Sequence, residues 1–173
     1  MDRPVLRRAG WEDAAALALV GAATFLESYA HFIGLADMLA HIDAKCSEAS
    51  FRTFASDPAC TLWLAEQATT RAPLGYAVLT SPDLPIEGRD GDIELRRIYL
   101  LASWHGAGLG RRLYEIAADH ARAQGMARLL IGVYSENDRA IGFYRRMGAQ
   151  QIGTRRFQVG DAFFDDLIMG MDL

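Results

Sequence analysis

A strand that ends in glycines and restarts as a helix constrains the fold of this chain more than any other segment. Residues 93–101 read Ile-Glu-Leu-Arg-Arg-Ile-Tyr-Leu-Leu, a branched and apolar-rich run suited to a strand. His105-Gly106-Ala107-Gly108-Leu109-Gly110 follows, and residues 108–124 turn helical, with Leu109, Leu113, Ile116 and His120 on one stripe. Backbone N–H groups at a helix start have no intrahelical partner, and the helix dipole adds partial positive charge there. Glycines permit backbone angles that other residues avoid and let a ligand come close to the chain. Such a junction is suited to cradling phosphate groups.

The remaining pattern surrounds that junction with alternating elements. Residues 5–8 read as a short strand. Trp11-Glu12-Asp13 opens a helix over 14–29, and further helical stretches cover 36–45 and 51–55, the last stopped by Asp57-Pro58. Residues 61–66 and 74–80 form a hairpin through Arg71-Ala72-Pro73. Two prolines and two glycines make 81–91 a loop. Residues 129–133 are a continuous apolar run, as in a strand buried on both faces. Asn137 opens a short helix that ends at Met147-Gly148, and 151–158 with 164–171 close the chain as a strand pair. The order is one strand, three helices, three strands, then helix, strand, helix and two strands. It is α/β in pattern, but three successive central strands argue against a doubly wound nucleotide fold. A chain of 173 residues with 51% hydrophobic content is expected to be one domain, residues 1–173.

Composition narrows the partners. A net charge of −4, with arginines dispersed along the chain, offers no basic stripe for nucleic acid and mildly favours cationic small molecules. No apolar run is long enough to cross a bilayer, so no membrane role is expected. Cys46 and Cys60 have no metal-type spacing, and Cys60, before Thr61-Leu62-Trp63-Leu64, is expected to be buried. No metal is expected, and a cytoplasmic location with free thiols is the simplest reading.

The loop itself excludes two cofactor classes. A dinucleotide fingerprint needs Gly-x-Gly-x-x-Gly, whereas the spacing here is Gly106-x-Gly108-x-Gly110. A P-loop needs Lys and Ser or Thr after its last glycine, and Arg111-Arg112 stand there. With the block Gly132-Val133-Tyr134-Ser135-Glu136-Asn137 through Phe143-Tyr144-Arg145-Arg146-Met147-Gly148, the loop resembles the Gcn5-related N-acetyltransferase (GNAT) superfamily. Gly108 and Gly110 match that family's phosphate-loop glycines, while His105 stands where Gln or Arg is usual. The resemblance covers roughly residues 60–173. Phe157-Gln158-Val159-Gly160-Asp161, Asp165-Asp166-Leu167-Ile168-Met169 and Glu94-Leu95-Arg96-Arg97-Ile98-Tyr99 further resemble the PaiA-type polyamine N-acetyltransferase branch.

The resemblance implies a mixed, mostly antiparallel central sheet with helices on both faces, whose fourth and fifth strands are parallel and splay apart. Acetyl-CoA as co-substrate would lie between them. Main-chain groups of Ile98, Tyr99 and Leu100 would hold its pantetheine arm, and an N–H near Leu100 would polarise the thioester carbonyl. His105, Gly106, Ala107, Gly108, Leu109, Gly110 and Arg111 would take the pyrophosphate. Asn137 would contact the cofactor, although a helix N-cap alone explains an Asn there. Tyr144 would protonate the thiolate leaving group and also touch the cofactor, although it equally suits a core beside Phe143. Glu94 is the first choice for the base that deprotonates the acceptor, against a plain ion pair with Arg96 or Arg97. Strict strand alternation puts Glu94 on one face with Arg96, Ile98 and Leu100, unless a bulge intervenes.

The acceptor expected from the resemblance is a primary amine of a small molecule, such as the polyamines spermidine or spermine. Glu27, Asp37, Asp165 and Asp166 are candidate acidic groups for it, and Tyr29 and Phe32 candidate pocket walls. A protein lysine or N-terminus is the alternative acceptor. A non-catalytic acyl-CoA-binding sensor is the alternative from another class, disfavoured by the joint presence of Tyr144 and Glu94. The family also suggests a homodimer through the closing strands.

Overall fold

The computed structural model describes residues 3–173. Strand β1 (Val5–Ala9) and a 3-10 turn (Trp11–Asp13) lead into α1 (Ala14–Tyr29), α2 (Leu35–Lys45) and α3 (Glu48–Ser56). Strands β2 (Thr61–Glu66), β3 (Pro73–Thr80) and β4 (Asp92–Leu100) follow, then α4 (Leu109–Ala123), β5 (Arg128–Tyr134), α5 (Asp138–Arg146), β6 (Gln150–Val159) and β7 (Ala162–Asp172). The elements fall where the sequence places them, within a few residues at each end. The third helix starts earlier than expected, because the Ser47 hydroxyl accepts the N–H of Ser50 and caps it.

The seven strands form one sheet in the order β1-β2-β3-β4-β5-β7-β6, antiparallel throughout except for β4 and β5. The pleat divides the core between its two faces. Trp63, Ala65, Ala77 and Leu79 face α4 and α5, while Leu62, Leu64, Tyr76 and Val78 face α1 and α3. A third cluster, built on Phe25, Ile33, Met38 and Val159, ties the end of α1 and α2 to the β6–β7 hairpin. The buried stripe of α4 consists of Leu109, Leu113, Tyr114, Ala117, Ala118 and Ala121. Ile116 and His120, expected on that stripe, are only half-buried at its margin. The small alanines let the helix lie close to the sheet, so the seam is rotated from the one the large residues suggest.

Two irregularities in β4 shape the molecule. Val78 pairs with Arg97 and Leu79 with Leu95, so Arg96 is an unpaired bulge residue. The bulge overturns strict alternation. Ile98 and Leu100 pack on the same core as Ile93 and Leu95, while Tyr99 faces the α1 side. Glu94 therefore does not share a face with Ile98 and Leu100. The second irregularity is a parting of strands: β4 and β5 pair only at Asp92–Arg128, Ile93–Leu129 and Glu94–Leu130. Beyond Glu94 they separate, and the β5-facing edge of β4 has no strand partner.

Candidate active site

The splay opens into a cleft of about 1530 Å³, bounded by β4, β5, the glycine loop, α5, α1, α2 and the β6–β7 hairpin. Single-ligand pockets fall between roughly 300 and 1,000 Å³, so this one has room for a long cofactor and a second substrate. Behind the cleft the two strands are clasped by Asp92 and Arg128, whose guanidinium donates two bonds of 2.7 Å to the carboxylate across the first parallel rung. That pairing holds the Asp92 carboxyl below its usual range, despite the opposing effect of burial.

At the loop, Gly106 and Gly108 have φ values of 81° and 79°, the left-handed region that favours glycine, and α4 begins at Leu109. Among the described residues, no main-chain N–H over 106–111 has a hydrogen-bond acceptor within the protein. These are donors that a bound anion would satisfy. His105 lines the cleft, but its Nε2 lies 2.8 Å from the carbonyl oxygen of Leu100, so the ring braces the loop against β4. Gly106, Gly108, Gly110 and Arg111 also border the cleft. Ala107 does not, and the Leu109 side chain is buried under α4. Any contribution of those two is through the main chain.

The expected catalytic residues converge on the same cavity. Ile98, Tyr99 and Leu100 line it from β4, and Asn137 and Tyr144 from α5. Asn137 Oδ1 accepts the N–H of Ala140 at 3.1 Å and caps α5, which leaves the Nδ2 group free to donate into the cleft. Capping and a cofactor contact would thus use different atoms. Tyr144 is buried against Tyr114 and Phe143, and burial raises its phenol well above the ordinary value. Among the described residues its hydroxyl has no hydrogen-bond partner.

Glu94 is only 2% exposed. Its Oε2 accepts the N–H of Asp83 at 2.8 Å and Arg96 Nη2 at 3.0 Å, so the bulge residue and the 81–91 loop both fasten it. Oε1 has no hydrogen bond among the described residues. Across the cleft the Tyr29 and Tyr99 hydroxyls approach to 3.3 Å, both phenols raised chiefly by burial.

The other end of the cleft is aromatic. Phe32 stacks on Tyr134 with ring centroids 5.0 Å apart and meets Phe164 edge-on at 5.3 Å, and Tyr29 flanks Phe32. The expected walls Tyr29 and Phe32 are therefore present. Tyr134, Arg155, Phe157 and Phe164 were not singled out in the sequence. The alternation Arg155, Phe157, Val159 was the available signal, but it does not say which strand lies beside it.

The acidic candidates have separate fates. Glu27 accepts the N–H of Ala102 at 2.8 Å and anchors the entry to the glycine loop. Asp37 accepts the N–H of Asp161 at 3.0 Å in the β6–β7 turn. Asp165 is exposed and does not line the cleft. Asp166 does line it, 5% exposed and bonded to Arg155 Nε at 3.0 Å, with its carboxyl raised by burial against the pull of that guanidinium. Cys60, expected to be buried, is only half-buried, with its thiol 3.5 Å from Asp57, and Cys46 is buried. Burial and Asp57 push the Cys60 thiol up to about 11, which removes it as a nucleophile. Among the described residues no helix is long and apolar enough to cross a membrane, and no cluster of metal-ligating side chains occurs.

Splayed parallel strands, a bulged fourth strand and a free-amide loop at a helix start define an acyltransferase scaffold. The chain belongs to the acetyltransferase (GNAT) family, whose model matches residues 20–149, and the protein is an N-acetyltransferase. The match reaches further towards the N-terminus than the motifs alone indicated and stops before the closing strands. The chain is 32% identical over 161 residues to an "Uncharacterized N-acetyltransferase" of Mycobacterium tuberculosis, covering 93% of this chain and 98% of that protein. It is also 32% identical over 108 residues to the L-methionine sulfoximine/L-methionine sulfone acetyltransferase of Pseudomonas aeruginosa, covering 54% and 62%. Its fold is similar to that of the PaiA N-acetyltransferase from Thermoplasma acidophilum, solved in complex with coenzyme A (TM-score 0.80, 19% identity, 99% of each chain).

Proposed function

We propose that the protein transfers the acetyl group of acetyl-CoA to the primary amine of a small molecule by direct attack on the thioester. One observation carries the reading: the unbonded amides over 106–111 and the enclosed aromatic pocket open into the same cleft, with Tyr144 and Glu94 bordering it. The amides would hold the pyrophosphate, and the unpaired edge of β4 would bind the pantetheine arm as an added strand does. The amine nitrogen forms its bond to the acetyl carbon as the carbon–sulfur bond breaks. The substrate ammonium gives one proton to Glu94 or water before the attack. The second proton that nitrogen sheds as the amide forms passes through water to restore Tyr144 once sulfur has been protonated. The departing sulfur takes a hydrogen bond, and then the proton, from Tyr144, whose buried phenol stays protonated at neutral pH.

Polyamines are the narrower acceptor class suggested by the motif resemblance. Against them, Glu27, Glu94 and Asp166 each already accept a hydrogen bond from this chain. The deciding experiment is thiol release from acetyl-CoA with spermidine, spermine, aminoglycosides, other small primary amines and short peptides. Turnover with a small amine supports the proposal, and turnover with peptides alone replaces it with protein acetylation. Acetyl-CoA binding with no acceptor turned over would favour a sensor role.

A further inference from the structure

Three arginines line the cleft from β4 and β6, and among the described residues Arg155 alone of them has both Nη groups without a hydrogen bond. Arg96 donates to Glu94 and to the carbonyl of Ser81. Arg97 donates to the carbonyl of Lys45 and lies over the rings of Phe51 and Phe54. Arg155 uses only Nε, on Asp166, and among the described residues neither of its Nη groups has a hydrogen-bond partner. A guanidinium presents five N–H donors, so four remain. Its side chain is 21% exposed, held by a buried carboxylate and by the ring of Phe157, 5.0 Å from Cζ.

The position of this guanidinium depends on Gly132. Arg155 crosses β7, where it pairs with Asp166, and rests on β5. A Cβ at residue 132 would sit 2.7 Å from Arg155 Nη2, so any side chain there would push the guanidinium aside. Gly132 lies two residues past Leu130, the last β5 residue paired with β4, and hence where the strands part. The spare donors therefore sit beside the splay, next to the wall formed by Phe32, Tyr134 and Phe164.

We infer that Arg155 determines acceptor specificity by receiving a carboxylate, so that the amine acetylated belongs to a small amino acid with an apolar side chain. The inference rests on the acetyltransferase reading above and refines it. A guanidinium with two free Nη groups matches a carboxylate in shape and charge. The guanidinium, already paired with Asp166, offers no acceptor to an ammonium, and the aromatic wall offers an apolar side chain dispersion and burial.

The test compares L-phenylalanine, L-leucine and L-methionine with their decarboxylated amines and with spermidine, by kcat/KM in the thiol-release assay. The amino acids are expected to exceed their amines by roughly tenfold to a hundredfold, the range of one charge-assisted hydrogen-bond pair. Arg155→Gln is expected to collapse that ratio, chiefly by raising KM for the acids. Gly132→Ala, which displaces the guanidinium, is expected to shift it the same way, with acetyl-CoA binding as the control for folding. Amines or spermidine used as well as the amino acids, or a ratio unmoved by Arg155→Gln, overturns the inference while leaving the acetyltransferase reading intact. If nothing is turned over, calorimetric titration of L-phenylalanine into the protein with coenzyme A still decides it. Binding lost in Arg155→Gln supports the carboxylate site, and no binding to the parent protein overturns it.

Discussion

Tyr144 and Asn137 show how a side chain can pack or cap an element and still border the cleft. Tyr144 was legible as a candidate only through its spacing from Asn137, since on composition alone it is a core tyrosine beside Phe143. It is in fact packed as a core residue, yet its hydroxyl has no protein partner among the described residues and borders the cleft. Tyr144→Phe removes that oxygen and leaves the ring contacts. It is expected to lower kcat by about 10²–10⁴, the range for loss of a general acid, with little change in KM for acetyl-CoA. Pre-steady-state thiol release measures this, and an unchanged kcat would assign the proton to water. Glu94 was readable as a carboxylate on the right strand. Its attachment to Arg96 and to the N–H of Asp83 was not, because both depend on the bulge and on the path of the 81–91 loop.

At the scale of elements, the decisive feature is the junction of β4 and β5. Their strand character is visible in their apolar runs, but the point of divergence is not, because both strands continue for several residues beyond their last shared rung. Asp92 and Arg128, both at least 92% buried at the side chain, clasp the two strands behind the cleft. Asp92→Ala leaves Arg128 buried without its partner, and such truncations cost about 3–5 kcal/mol. Chemical denaturation is expected to show a loss of that order at neutral pH. The native Asp92 carboxyl titrates below its unfolded value of 3.8, so the pair's contribution is full above that pH and disappears as pH falls through the native value. The difference between parent and variant should therefore narrow in acid.

Across the whole molecule, the aromatic end of the cleft depends on the packing of α1, α2 and β6. His41 of α2 stacks on Phe25 of α1 at 4.0 Å and meets Phe157 of β6 edge-on. Burial, helped by the charges of Arg97 and Lys45, lowers its imidazole from 6.5 to about 4. Between those values the unfolded chain binds the proton and the folded one does not. His41 thus contributes stability in full above pH 6.5, and the contribution is lost as pH falls towards 4. A His41→Phe variant is expected to show a shallower decline of Tm across that window than the parent. Equal slopes would mean that His41 titrates normally.

The sequence by itself determined the order of the elements, the glycine junction, the family and the glycine-loop end of the cleft. Those features are local: a helix start, its free amides and a loop of fixed spacing lie within a few consecutive residues. Only the tertiary structure decided the aromatic end. There β7 inserts between β5 and β6, which brings Arg155 onto Gly132 and sets Phe32 of the α1–α2 connection against Tyr134 and Phe164. Strand order and register arise from the burial of whole faces, and alternation along one strand carries no record of its neighbour.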